Sequence, residues 1–272
     1  MKKWFLLLLF LASMLGVFTV SAQVERQPEL DAAFSMIEEG NQFLERYNQI
    51  TGANIQARYQ YGVPYFFGGK KADDLMKIKK PIETTRYYSP KRAYVYGFDC
   101  TGYTQWINEQ TGKPKHDSLS GMILKYSKYA KNHLPFKELP FESLREHLQV
   151  GDFLVGKHRA RHIMMYIGTL KDYGFTAETA PEAKDYLNYP LVIHCGANPF
   201  YPQRYEQYIA ENNLKATTTN GGVCVSIIGV PSSEMPHSVL SNKETYFYFD
   251  LNGYQLTLYD VTTATSYVWF RM

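Results

Sequence analysis

The feature that most constrains this chain is a cysteine at the point where an irregular approach turns into a helical pattern. In Tyr96-Gly97-Phe98-Asp99-Cys100-Thr101-Gly102-Tyr103-Thr104-Gln105-Trp106-Ile107, the residues Cys100, Tyr103, Trp106 and Ile107 recur on one helix face. Asp99 is a favoured N-cap type, so Cys100 falls in the first turn, among backbone N–H groups without intrahelical acceptors. The positive end of the helix dipole lowers a thiol pKa, and the thiolate is the reactive form. An N–H of the same turn can stabilise an oxyanion if the sulfur attacks a carbonyl. Taken alone, the stretch also fits a small buried cysteine on an apolar face, which is what most free cysteines are.

Downstream, short apolar runs turn that helix into half of a site. Gln149-Val150-Gly151-Asp152 is a turn signal leading into the strand Phe153-Leu154-Val155. His162-Ile163-Met164-Met165-Tyr166-Ile167-Gly168 is apolar on both faces except at His162, the pattern of a central strand. In Leu191-Val192-Ile193-His194-Cys195, period-2 alternation puts His194 on one face and Cys195 on the other. If His194 faces an active site, Cys195 faces away from it. A cysteine nucleophile needs a base in hydrogen-bond reach and a third polar group to orient that base. His162 and His194 stand out because an imidazole in a buried strand is costly unless it is paired. His116, His133, His147, His158 and His237 lie in polar or helical surroundings and are expected to be solvated. A zinc site from Cys195, His194 and His158 lacks metal-type spacing.

Further strands are expected at Val223–Val230, at Tyr246–Leu251 and Tyr254–Tyr259 flanking the hairpin signal Asn252-Gly253, and at Tyr267–Met272. Earlier in the chain, Pro28 to Ile50 carries apolar residues at helical spacing and reads as one amphipathic helix closed by Gly52. Two glycines end Gly62-Val63-Pro64-Tyr65-Phe66-Phe67-Gly68-Gly69 and mark a turn of close backbone approach. Lys70 to Arg92 is Lys-rich and irregular, a solvated loop or a basic rim over a cleft. A second helix is expected from Ser120 to Lys131, and irregular insertions at Thr169–Tyr189 and Asn198–Gly222. The class is α+β. The division expected is a leader at 1–22, an N-terminal helical segment at 23–50, a catalytic domain at 51–230 and a C-terminal β-hairpin extension at 231–272.

The compartment follows from the start. Lys2 and Lys3, an apolar run from Trp4 to Val20 and then Ser21-Ala22-Gln23 describe a secretory signal peptide cleaved before Gln23. The chain has 29 Lys+Arg and 26 Asp+Glu, and removing Lys2 and Lys3 leaves a net charge of about +1. That balance gives no case for nucleic acid. The mature protein is expected to be soluble, in the periplasm or outside the cell, with no stable membrane insertion. Three cysteines leave at least one thiol over; Cys195–Cys224 is a possible bridge, with Cys100 free.

Five motifs, in order, resemble the NlpC family of cell-wall peptidases. Gly62-Val63-Pro64-Tyr65-Phe66-Phe67-Gly68-Gly69 resembles G-x-P-Y-x-x-G-G, and Phe98-Asp99-Cys100-Thr101-Gly102 resembles the D-C-S-G nucleophile motif. Val150-Gly151-Asp152-Phe153-Leu154 resembles P-G-D-L, His162 to Gly168 resembles H-V-G-I-Y-I-G, and Val192-Ile193-His194 resembles the third catalytic strand. The joint order over roughly residues 55 to 196 is more specific than any one motif. The resemblance implies a papain-like fold, with the nucleophile helix packed on an antiparallel sheet; the C-terminal strands expected after Gly222 are extra to it. It implies Cys100 as nucleophile, His162 as general base and then acid, and His194 as the residue orienting His162. Tyr65 and Asp99 would contact substrate beside the nucleophile, with Thr101 in the place of the usual serine and Asp117-Ser118 near the cleft. The implied reaction is hydrolysis of the γ-D-glutamyl–diamino-acid bond of peptidoglycan stem peptides or wall fragments, with no metal or other cofactor. The long Gly69–Cys100 and His162–His194 intervals are insertions expected to border the cleft. Alternatives are an amidase acting at another cell-wall amide bond and a non-catalytic wall-fragment binding protein.

Overall fold

The computed structural model describes residues 27–59, 62–63, 65, 69–70, 97–116, 136–139, 145–156, 162–197, 221–229, 246–251, 254–259 and 267–272. The leader at 1–22, the expected helix at 120–131 and the excursion at 198–220 lie outside these residues. Among the described residues, no helix is long and apolar enough to cross a membrane.

Among the described residues, three α-helices pack on one eight-stranded sheet, an α+β arrangement. The helices are α1 (Pro28–Phe34), α2 (Gln42–Thr51) and α3 (Cys100–Gln110). The strands are β1 (Phe136–Leu139), β2 (Phe153–Gly156), β3 (His162–Thr169), β4 (Pro190–Ala197), β5 (Gly221–Ile228), β6 (Tyr246–Leu251), β7 (Tyr254–Tyr259) and β8 (Tyr267–Phe270). Their spatial order is β1-β8-β2-β3-β4-β5-β7-β6. Every neighbouring pair is antiparallel except β5 and β7, which run parallel. The hairpin β6–β7 forms as its Asn252-Gly253 signal requires, with Leu251 paired to Tyr254.

The N-terminal helix departs from expectation by being two helices. The chain leaves α1 after Phe34, and α2 starts afresh at Asn41, whose side chain accepts the Phe43 N–H at 3.0 Å. α1 starts on Pro28 without a side-chain cap, and both short helices turn their apolar faces into one core: Leu30, Ala33 and Phe34 from α1, and Phe43, Leu44 and Tyr47 from α2. The link between them runs alongside a later segment through Arg58 N–H to Ser35 O and Val63 N–H to Met36 O. Gly52 closes α2 in the left-handed conformation.

The insertion at Thr169–Tyr189 belongs to this N-terminal layer, not to the border of the cleft. Tyr173 and Phe175 pack edge-on and tilted against Phe43, and Arg46 lies 4.0 Å from the Phe175 ring centre. It leaves β3 at Thr169, and His162 begins β3 seven residues earlier, roughly 23 Å away along the strand. Burial of Leu170, Tyr173, Phe175, Ala180 and Ala183 makes it core structure.

The strand β8 enters the sheet between β1 and β2 rather than extending an edge. Asp152, almost wholly buried, locks it there. Its carboxylate accepts Trp269 Nε1–H at 2.8 Å, Arg271 Nε–H at 2.6 Å and the Gln149 N–H at 2.7 Å. That carboxylate raises the already high Arg271 pKa, chiefly by hydrogen bonding. The Gly-Asp of the motif before β3 is thus a structural clamp.

The sheet has two apolar faces. Phe153, Val155, Ile163, Met165, Ile193, Cys195, Val225 and Phe270 meet the helices, whereas Leu154, Met164, Val192, Ile228, Tyr267 and Trp269 form a second cluster. Alternation therefore assigns His162 and His194 to the face away from the helices.

Candidate active site

The site forms where the sheet opens. Pairing of β3 with β4 ends at Met165↔Ile193, while β2 stays paired to β3 as far as His162 and β5 stays paired to β4 as far as Ala197. Beyond Met165 the two central strands part, and the start of α3 meets the gap. Cys195 Sγ donates to Phe98 O at 3.2 Å, and the Ile163 backbone is near enough to the Cys100 thiol to favour its charged form. Cys100 thus comes from the helix layer to the β3 residue next to His162.

Asp99 holds the helix start. Its Oδ1 accepts the Gly102 N–H at 2.6 Å in N-cap geometry, a cap worth about 1 kcal/mol. The same carboxylate pairs with Lys70 Nζ at 2.6 and 2.7 Å. Lys70, expected in a solvated loop or basic rim, is therefore drawn onto the first turn of α3. Gly69 O accepts the Asp99 N–H at 3.1 Å, and a Cβ on Gly102 would overlap that carbonyl oxygen. A glycine inside a helix is costly; here it admits a backbone segment no side chain would tolerate. Tyr65 bridges to Phe98, two residues before Cys100, and the Thr101 hydroxyl lies 3.9 Å from the Cys100 sulfur. Asp117 and Ser118 lie outside the described residues.

Across the opening, His162 Nε2 and His194 Nδ1 are 2.9 Å apart, with the rings at 88° and their centres 4.7 Å apart. His194 Nε2 lies 2.8 Å from Ser226 Oγ and 3.5 Å from Cys224 Sγ on β5. Gly196 leaves room for the pair, because a Cβ there would fall 2.7 Å from His194 Nδ1 and 3.4 Å from His162 Cε1.

Burial decides the charge state. It lowers His162 to about 4 and, with the neighbouring His162 adding to it, takes His194 well below the ordinary imidazole value. Both rings are neutral near neutral pH. Burial also raises the Cys100 thiol, as does Asp99, against the Ile163 N–H, the Thr101 hydroxyl and Lys70, which lower it. The expectation that the helix start depresses this thiol is corrected: desolvation exceeds it. The resting pair is thiol and neutral imidazole, so sulfur becomes nucleophilic only as a base takes its proton.

Two more expectations change. Cys195 and Cys224 are both free thiols. Cys224 sits opposite His194, and Cys195 opposite Val223, so the two cysteines project from opposite faces and the proposed bridge does not form. His116 is buried, with Nε2 2.6 Å from Thr104 Oγ1 and its ring edge-on to Phe153 and Phe270. Ser226 was missed, although a single hydroxyl in Val223-Cys224-Val225-Ser226-Ile227-Ile228 carries the same signal as His194 in its own strand. Among the described residues no cluster of His, Cys, Asp and Glu has the arrangement of a metal site. No family model, no curated protein and no solved structure matches the chain.

Proposed function

We propose that the protein is an exported cysteine peptidase of the NlpC type, with a papain-like fold, hydrolysing peptidoglycan stem peptides at the γ-D-glutamyl–diamino-acid bond. One observation carries this reading: Cys100, in the first turn of α3, is close enough to the start of β3 for the Ile163 backbone to act on its thiol, and His162, the residue before Ile163, is hydrogen-bonded to His194. A helix start, a buried base and a second polar group that orients it are what thiol attack on an amide requires.

In the proposed cycle His162 Nδ1 takes the thiol proton as sulfur attacks the carbonyl carbon. The oxyanion is held by an N–H of the α3 first turn. Imidazolium then gives its proton to the departing amine as the C–N bond breaks, leaving a thioester on Cys100. Water, losing a proton to His162, attacks the thioester, and sulfur leaves and regains that proton. His194 keeps the His162 ring in register throughout. Because both rings rest neutral, His162 is ready to accept a proton at neutral pH.

The test is mass spectrometry of defined stem peptides incubated with wild type and with Cys100→Ala. Cleavage after γ-D-Glu by wild type alone supports the proposal. A folded wild type that leaves every stem peptide intact refutes it.

A further inference from the structure

We infer that Ser226, on β5, is a positioning residue that sets the tautomer of His194 and through it the basic nitrogen of His162; this rests on the peptidase reading above. A neutral imidazole has one N–H and one acceptor nitrogen. With His162 Nε2 and His194 Nδ1 at 2.9 Å, one of the two must carry the proton.

Two arrangements satisfy that contact. In the first, His162 Nε2–H donates to His194 Nδ1, His162 Nδ1 is left basic, and the His194 proton sits on Nε2, where it donates to Ser226 Oγ at 2.8 Å. In the second, Ser226 donates to His194 Nε2, His194 Nδ1–H donates to His162 Nε2, and the His162 proton moves to Nδ1. Only the first leaves His162 able to take a proton from Cys100 through Nδ1.

Ser226 and Cys224 together select the first. Cys224 is the cross-strand partner of His194, and its sulfur lies 3.5 Å from the same Nε2. An Nε2–H can be shared between a hydroxyl oxygen and a sulfur, whereas a bare Nε2 offers one lone pair and can use only one donor. Two groups crowded on one nitrogen therefore favour a proton on it. Ser226 is fully buried, in contact with protein rather than bulk solvent. The result is a line of groups across three adjacent strands, His162 on β3, His194 on β4 and Ser226 on β5, running away from the nucleophile.

The experiment is a long-range 1H–15N correlation of uniformly 15N-labelled protein at pH 7, which distinguishes Nε2–H from Nδ1–H for each ring. It needs no turnover, so it separates failure of this inference from failure of the peptidase reading. Wild type and Ser226→Thr are expected to show both His162 and His194 as Nε2–H, and Ser226→Ala a mixture of tautomers for both. On a cleaved stem peptide, losing this one hydrogen bond lowers kcat on the order of tenfold with KM unchanged, and Ser226→Thr restores it. An Nδ1–H His194 in wild type overturns the inference, as do unaltered tautomers in Ser226→Ala. Should Ser226→Ala not fold, the wild-type spectrum alone decides between the two arrangements.

Discussion

The two buried imidazoles make the folded state sensitive to mild acid, and the size of the effect follows from the site. His162 is 7% exposed, and burial alone lowers it from 6.5 to about 4. Between those values the unfolded chain binds a proton that the native state does not, so stability falls as the pH falls. The contribution is complete above about 6.5, shrinks at about 1.4 kcal/mol per pH unit, and is gone near pH 4, a loss of about 3 kcal/mol. By pH 5 about 2 kcal/mol is lost, a large part of the stability of an ordinary domain. His194 shifts in the same direction and steepens the fall. The assay is urea unfolding at closely spaced pH values for wild type and His162→Gln, which keeps a polar side chain but cannot titrate. The variant's stability should decline less steeply between pH 6 and 4.5, by about 1.4 kcal/mol per pH unit. Equal slopes would show that His162 is already charged or solvated in the native state, refuting the neutral-pair account.

Other consequences follow from the same geometry. Because burial raises the Cys100 thiol, its alkylation by iodoacetamide should be slow at pH 7 and still climbing at pH 9; a plateau reached below pH 7 would mean a preformed thiolate. If His162 is the base, kcat/KM on a cleaved stem peptide should hold down to about pH 5 and drop toward pH 4, whereas a midpoint near 6.5 would contradict it. Gly102→Ala should destabilise the fold by about 1–3 kcal/mol and weaken the contact of Gly69 with the first turn of α3, read from thermal melts; an unchanged melt would deny the close approach. Asp152→Ala leaves the buried Trp269 N–H without its acceptor and releases the partly exposed Arg271, and should cost about 1–3 kcal/mol in urea unfolding followed by Trp fluorescence; an unchanged stability would mean that the clamp is dispensable.

Much of the sheet and of the site was legible because local signals and tertiary demands agree there. A polar N-cap before an apolar helix face marked α3, a histidine opening an apolar run marked β3, and Asn-Gly between two aromatic runs marked the β6–β7 hairpin. What was not legible depends on partners distant in sequence. Nothing near His116 announces that Phe153 and Phe270 enclose it, and nothing in Lys70 announces Asp99. The helical period continues from α1 into α2, so periodicity alone conceals the turn that Asn41 introduces. The thiol was misjudged because a helix terminus is visible in sequence, whereas the depth of burial that overrides it is not.

The insertion of β8 between β1 and β2 sets a timetable for synthesis. Residue 153 pairs with residue 270, and β1 has β8 as its neighbour in the sheet. At ordinary translation speeds of about 5–20 residues per second, β2 waits on the order of ten seconds for that partner. During the wait it presents a bare edge of Phe153-Leu154-Val155, the kind of template on which neighbouring nascent chains aggregate. A chain handed to an export channel before Phe270 emerges would travel with this half of its sheet unassembled. If the chain is exported as proposed, the site at the open end of β3 would then take shape only on the far side of the membrane, so that the arrival of one late strand determines where Cys100, His162 and His194 are first assembled.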